Sequence, residues 1–189
     1  MKKFTLYILT AFGLMGLATS CNDFGDVNND PMNLNPGVVD YKMEFTQVEA
    51  QICGSDWDVW RNGCIYTANM IQHTASVDWA YGVFYTWNDQ YSGAYWGGFY
   101  SGGRAAIRNI IDVMNNWEGN PAYANEYQMC RILKAYMFQN MTDLYGDVPY
   151  SEAGQAYSTN PIPYPKYDTQ EAIYNDLLKE LDEAQAALS

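Results

Sequence analysis

The run TDLYGDVPYSEA, residues 142–153, sets Asp143, Asp147, Tyr150, Ser151 and Glu152 within ten positions. Paired carboxylates are what a glycoside hydrolase uses as acid and as base or nucleophile. Asp143 with Asp147, one helical turn apart, and Asp147 with Glu152 are the nearest such pairs. No aromatic cluster adjoins them in sequence, and the same residues can equally well stop a helix. Gly146 can take a left-handed conformation, Pro149 prevents the helix from resuming, and Val148, preceding proline, is biased to extended backbone. Asp147 or Ser151 can then accept from backbone N–H groups of the turn, while Tyr145 and Tyr150 bury their rings. On this reading the run is a helix stop, and no catalytic residue is assigned.

A second constellation lies in VDWAYGVFYTWNDQYSGAYW, residues 77–96. Flat aromatic faces beside amide and carboxylate groups suit a sugar ring, which stacks its C–H surface and hydrogen-bonds through its hydroxyls. The candidate ligand contacts are Trp79, Tyr81, Tyr85, Trp87, Asn88, Asp89 and Tyr91. An extended peptide could use the same set, and the bland alternative is that these rings only cover helix ends. Other chemistries lack parts. His73 is the only histidine and no C-x-x-C occurs, so common zinc sites and Ser-His-Asp triads are disfavoured. Asp23, Asp26, Asn28 and Asp30 lack the glycine and distal glutamate of a calcium loop, and the DFG at 23–25 stands without the other kinase motifs. No metal or cofactor is expected.

The N-terminus assigns a compartment. MKK followed by the mostly apolar Phe4–Ala18 reads as a secretory signal, too short and too abruptly ended for a membrane span. It closes on LATSC, which resembles a bacterial lipobox and makes Cys21 the expected acylated first residue of the mature chain. Residues 1–20 are therefore expected to leave, and residues 21–37, rich in Asn, Asp, Pro and Gly, to form an extended tether. Loss of Lys2 and Lys3 moves the formal net charge from −12 to −14. A chain this acidic repels nucleic acid and anionic lipid, so membrane attachment is expected through the anchor alone. Cys53, Cys64 and Cys130 remain, and an odd number leaves at least one unpaired within the chain.

The rest, residues 38–189, is 3.6-periodic. Val38, Tyr41, Phe45, Val48 and Ile52 mark a first helix, and Ser55 or Asp56 can cap a second with Trp57, Trp60, Cys64, Ala68 and Ile71 inward. A third helix is expected over 92–117, with glycines near its start allowing another backbone to approach closely. A fourth opens at Asn120-Pro121 and is apolar on two faces, so it should be covered on more than one side. A fifth starts from Asp168 and Glu171 and carries Ile173, Leu177, Leu181, Ala184 and Leu188. Its stripe has no following partner, so the chain is expected to be the N-terminal part of a longer domain whose remainder supplies the next packing layer. The fold class is all-α, antiparallel helix pairs in a tetratricopeptide-like arrangement with long irregular loops.

The lipobox followed by DFGDVNNDP, the QHTASVDWAYG segment, LYGDVPYSEA and LDEAQAAL together resemble the SusD/RagB family of nutrient-binding outer-membrane lipoproteins. The resemblance runs from Cys21 to the end, and LYGDVPYSEA is its most specific element. It implies lipidation at Cys21, surface exposure, and binding of an oligosaccharide or peptide without turnover. The implied partner is a SusC-like TonB-dependent transporter, to which the nutrient is delivered. A glycan-degrading hydrolase and a helical-repeat interaction scaffold are the alternatives.

Overall fold

The computed structural model describes residues 40–101, 104–156 and 160–188. The signal-like segment, Cys21, the tether and Val38 lie outside these residues. The described chain is helical, with a single isolated β-bridge between Val148 and Asp168.

Helix α1 spans Tyr41–Gln51, capped by Asp40, whose side chain accepts from Lys42 N–H. It buries Phe45 and Val48, two members of the stripe read from the sequence. Helix α2 begins with Asp56–Asp58, continues as a π-helix over Val59–Thr67 and ends with Ala68–Met70. Two short helices follow, α3 (Asp89–Ser92) and α4 (Ala94–Tyr100), then α5 (Ala106–Trp117). A 3-10 turn, Pro121–Tyr123, opens under the Asn120 cap and leads into α6 (Ala124–Tyr145). Helix α7 is Gln170–Ala187.

One core joins α1, α4, α5, α6 and α7. Ile107, Ile110 and Val113 of α5 and Met137, Phe138 and Met141 of α6 are fully enclosed. Burial of each such side chain is worth about 1.5–3 kcal/mol. Gln51 Oε1 accepts from Asn109 Nδ2 while Phe45 packs on Trp117, so α1 and α5 run antiparallel. Arg131 reaches Glu180 and Glu183 as Tyr174 reaches Asp143, which fixes the same relation for α6 and α7.

Five sequence expectations are corrected. The stripe expected to face inward on α2 faces outward instead: Trp57, Cys64 and Ile71 are exposed, and Asp58, Asn62, Ile65, Tyr66 and Asn69 are buried. A π-helix bonds each N–H to the fifth preceding carbonyl, as Ala68 N–H does to Gly63 O, so a face counted at 3.6 residues per turn drifts away from the core. The expected third helix is broken after Tyr100, and Ala105 turns left-handed (φ 38°) before α5 starts. At Gly98 the space is taken by the Arg104 guanidinium on its way to Asp58, not by another backbone. The second face of α6 is uncovered among the described residues, with Met129 and Tyr136 exposed. Finally, Thr169 and not Asp168 caps α7, accepting from Ala172 N–H at 3.3 Å.

Candidate functional site

The carboxylates of the 142–153 run are all taken up by the connection between α6 and α7. Gly146 ends α6 at φ 75° and ψ −123°, backbone that favours glycine, and Thr142 Oγ1 donates to its carbonyl at 2.7 Å. Asp143 accepts from the Tyr174 hydroxyl. Asp147 Oδ1 accepts from Gln170 N–H at 2.9 Å, at the exposed start of α7, where a negative charge is favoured. Glu152 accepts from Lys166 N–H at 2.9 Å. Asp168 returns to the run, accepting from Ser151 N–H (2.7 Å), Ser151 Oγ–H (2.8 Å) and Tyr150 N–H (3.2 Å). Burial raises the Asp168 carboxyl, but these donors outweigh it and hold the group below its ordinary range. Tyr150 donates to Asp176 at 2.6 Å, and burial pushes its phenol far up. The junction is a lattice of fixed partners.

The aromatic interval behaves differently. Loop backbone docks on the π-segment of α2, where Gly82 N–H donates to Ile65 O at 3.2 Å. A Cβ at Gly82 would lie 2.5 Å from Ile65 O and 2.7 Å from Tyr66 O, so the close approach expected of a glycine occurs here. Tyr66 Oη–H donates to Thr86 O (3.2 Å) and Asn88 O (3.4 Å). Asn88 caps α3, accepting from Gln90 N–H and Tyr91 N–H. Buried Asn62, its amide oriented to satisfy both ends, donates to Tyr91 O at 2.9 Å and accepts from Tyr95 N–H at 3.2 Å. Trp79 (φ 50°) and Tyr85 (φ 53°) both hold left-handed backbone, which is costly for side chains this large.

These constraints present an open strip of rings. Trp60 lies at its centre, edge-on to Trp57 (5.4 Å), Trp79 (5.2 Å) and Tyr91 (5.9 Å). Tyr91 continues to Tyr81 (5.4 Å) and Tyr81 stacks towards Tyr66 (6.3 Å). Trp57 is 62% and Trp79 51% exposed, so the two outer rings offer faces to solvent. The Arg61 guanidinium sits 5.4 Å from the Trp57 ring and 5.7 Å from that of Tyr91, with its Nε enclosed and unpartnered. Beneath, Asp58 closes a capping box with Ser55 and pairs with Arg104. Burial raises the Asp58 carboxyl, and the bonds from Arg104 and Ser55 more than reverse it.

Of the seven residues singled out in the sequence, Trp79, Tyr81 and Tyr91 join the strip and Asn88 positions it. Asp89 accepts from the Trp87 indole N–H, a pairing next to the strip. Tyr85 points elsewhere, donating to Met70 O at 3.1 Å. Trp57 and Trp60 were missed because their spacing marked a core face, and Arg61 because no motif singles it out; a polar Asp58, Asn62 and Asn69 at intervals of four and seven was the available warning.

The geometry defines an all-α protein with a surface strip of aromatic rings, the kind of site that stacks on planar or ring-shaped ligands. Residues 38–189 match a SusD-like family described as starch-binding and associating with the outer membrane. The chain belongs to this SusD-like family. Among solved structures it is similar to a chitin-binding protein, at 33% identity and TM-score 0.65, over 78% of this chain and 30% of that one. It is also similar to a chain titled Bacteroidetes AC2a SusD-like, at 29% identity and TM-score 0.64, over 80% of this chain and 27% of that one. The chain thus spans less than a third of the length of either solved relative. No curated protein matches it.

Proposed function

We propose that the protein binds a glycan on the strip formed by Trp57, Trp60, Trp79 and Tyr91, at the surface of an outer membrane. Trp57 and Trp79, both exposed and both packed edge-on to Trp60, carry the reading, because two exposed rings so close together can stack on sugar rings. Anchoring is through acylated Cys21, which precedes a stretch rich in Asn, Asp, Pro and Gly. The protein performs no chemistry on its ligand and delivers it to a SusC-like TonB-dependent transporter. Family membership supports the outer-membrane setting, and the chitin-binding relative makes oligomers of N-acetylglucosamine the first ligands to try.

The test is a titration of intrinsic Trp fluorescence with N-acetylglucosamine, glucose and xylose oligomers, with product analysis of each mixture. Saturable quenching by one series, abolished in Trp57→Ala/Trp79→Ala, is expected. Release of shortened oligomers would overturn the binding-only reading. Persistence of labelled palmitate in Cys21→Ala would overturn the anchor.

A further inference from the structure

Arg61 differs from the other arginines of the described residues. Arg104 pairs with Asp58, Arg131 with Glu180 and Glu183, and Arg108 donates to Asn109 Oδ1 at 3.1 Å. Arg61 has no such acceptor; its guanidinium is held by rings alone, 5.4 Å from Trp57 and 5.7 Å from Tyr91. Its Nε is the one enclosed side-chain nitrogen or oxygen without a partner among the described residues, and Nη1 and Nη2 are not enclosed. Buried donors are nearly always satisfied, so a guanidinium kept here unpaired is best explained by an acceptor that arrives with a ligand. The acids nearest in sequence do not supply one. Asp58 is taken by Arg104 and Ser55 and Asp89 by the Trp87 indole N–H, while Asp56 and Asp78 are exposed and make no ion pair with Arg61. In a chain with 22 acidic residues against 10 basic ones, an arginine without a carboxylate beside it is not a shortage of partners.

We propose that the ligands preferred by the strip are acidic oligosaccharides, whose sugar rings carry carboxylates, and that Arg61 is the residue that selects them; this rests on the reading of the strip as a glycan site. A uronate ring stacks on Trp57 or Trp79, and its carboxylate accepts from the guanidinium in the planar, two-bond geometry that arginine offers and lysine does not. Neutral oligomers engage the rings alone. The contacts with Trp57 and Tyr91 hold the guanidinium beside the rings before the ligand arrives, so less side-chain freedom is lost on binding. The formal net charge of −12 disfavours adsorption of such a ligand elsewhere on the surface.

Calorimetric titration of the full chain at neutral pH tests this with oligomers of glucuronate and of galacturonate, each against the same oligomer with its carboxylates reduced to primary alcohols. One intact series should bind roughly tenfold or more tightly than its reduced form. Arg61→Gln should abolish that ratio, and Arg61→Lys, which keeps the charge but not the fork, should restore it in part. Equal affinities for intact and reduced oligomers in the native protein overturn the proposal, as does a ratio that survives Arg61→Gln. Binding of neutral oligomers only, those of N-acetylglucosamine among them, also overturns it and leaves the strip a glycan site without acidic selectivity. If oligomers of neither kind bind, the glycan reading of the strip fails, and the role of Arg61 fails with it.

Discussion

The α6–α7 junction and the aromatic strip draw on the same residue types, Asp, Tyr and Gly, and use them in opposite ways. In the junction each carboxylate of the run ends on a backbone N–H or a hydroxyl of the adjoining segment, so the polar groups are spent on joining two helices. In the strip the polar groups lie underneath. Asn62, Asn88 and Tyr66 hold loop backbone against α2, and the rings are left facing outward. A cluster of reactive residue types therefore indicates a site only when its members keep unused faces or lone pairs.

Replacing Asp168 should produce the largest effect. Asp168→Ala leaves three donors of Tyr150 and Ser151 without their carboxylate, and urea denaturation should show a loss of about 2–3 kcal/mol. Glycan affinity of the folded fraction should not change. Because the folded Asp168 carboxyl lies below its ordinary 3.8, its contribution is complete above that pH and disappears as pH falls through the lower folded value. Asp168→Asn should accordingly flatten the acid limb of the stability profile.

Gly82→Ala should act on the other region. The added methyl meets two carbonyls of α2, so the loop must lift, and calorimetry should show glycan affinity reduced by at least tenfold, about 1.4 kcal/mol or more. Far-UV circular dichroism should remain that of a folded helical protein, since the core under α5 and α6 is not touched. Trp57→Ala and Trp79→Ala should each weaken binding by about tenfold, about 1.4 kcal/mol, with stability moved by no more than about 0.5 kcal/mol. Trp87→Ala should change affinity less than threefold, although Trp87 is the most exposed of these indoles, at 74%. Its N–H is committed to Asp89 and it lies outside the chain of ring contacts built on Trp60. Equal losses for Trp87 and Trp79 would dissolve the distinction between the strip and the surrounding loop.

Local rules read well from the sequence. The Gly146 stop, the Asn120-Pro121 start and the Ser55 cap depend on neighbouring residues, and the structure has all three. Helix α5 likewise buries Ile107, Ile110 and Trp117, apolar residues at helical spacing. What failed depended on distant groups. The face α2 buries is docked against Gly82 and against Tyr91 and Tyr95, about 17 to 33 residues further along the chain, and its period is not that of an α-helix. The break between α4 and α5 follows Arg104 reaching back to Asp58. Cys53, Cys64 and Cys130 are all free, and burial pushes the Cys130 thiol up to about 12. The site was half legible for the same reason: the loop aromatics stand out in composition, whereas Trp57 and Trp60 carry the spacing of a core.

The most direct measurement compares two double variants by isothermal titration with whichever oligosaccharide binds the native protein. Trp57→Ala/Trp79→Ala removes the two most exposed rings packed on Trp60, and Asp143→Asn/Asp147→Asn removes the first carboxylate pair of the run. If the strip holds the ligand, the first should lose at least thirtyfold in affinity and the second should stay within twofold of the native protein. Retained affinity in the first with a large loss in the second would contradict it and return the site to the junction.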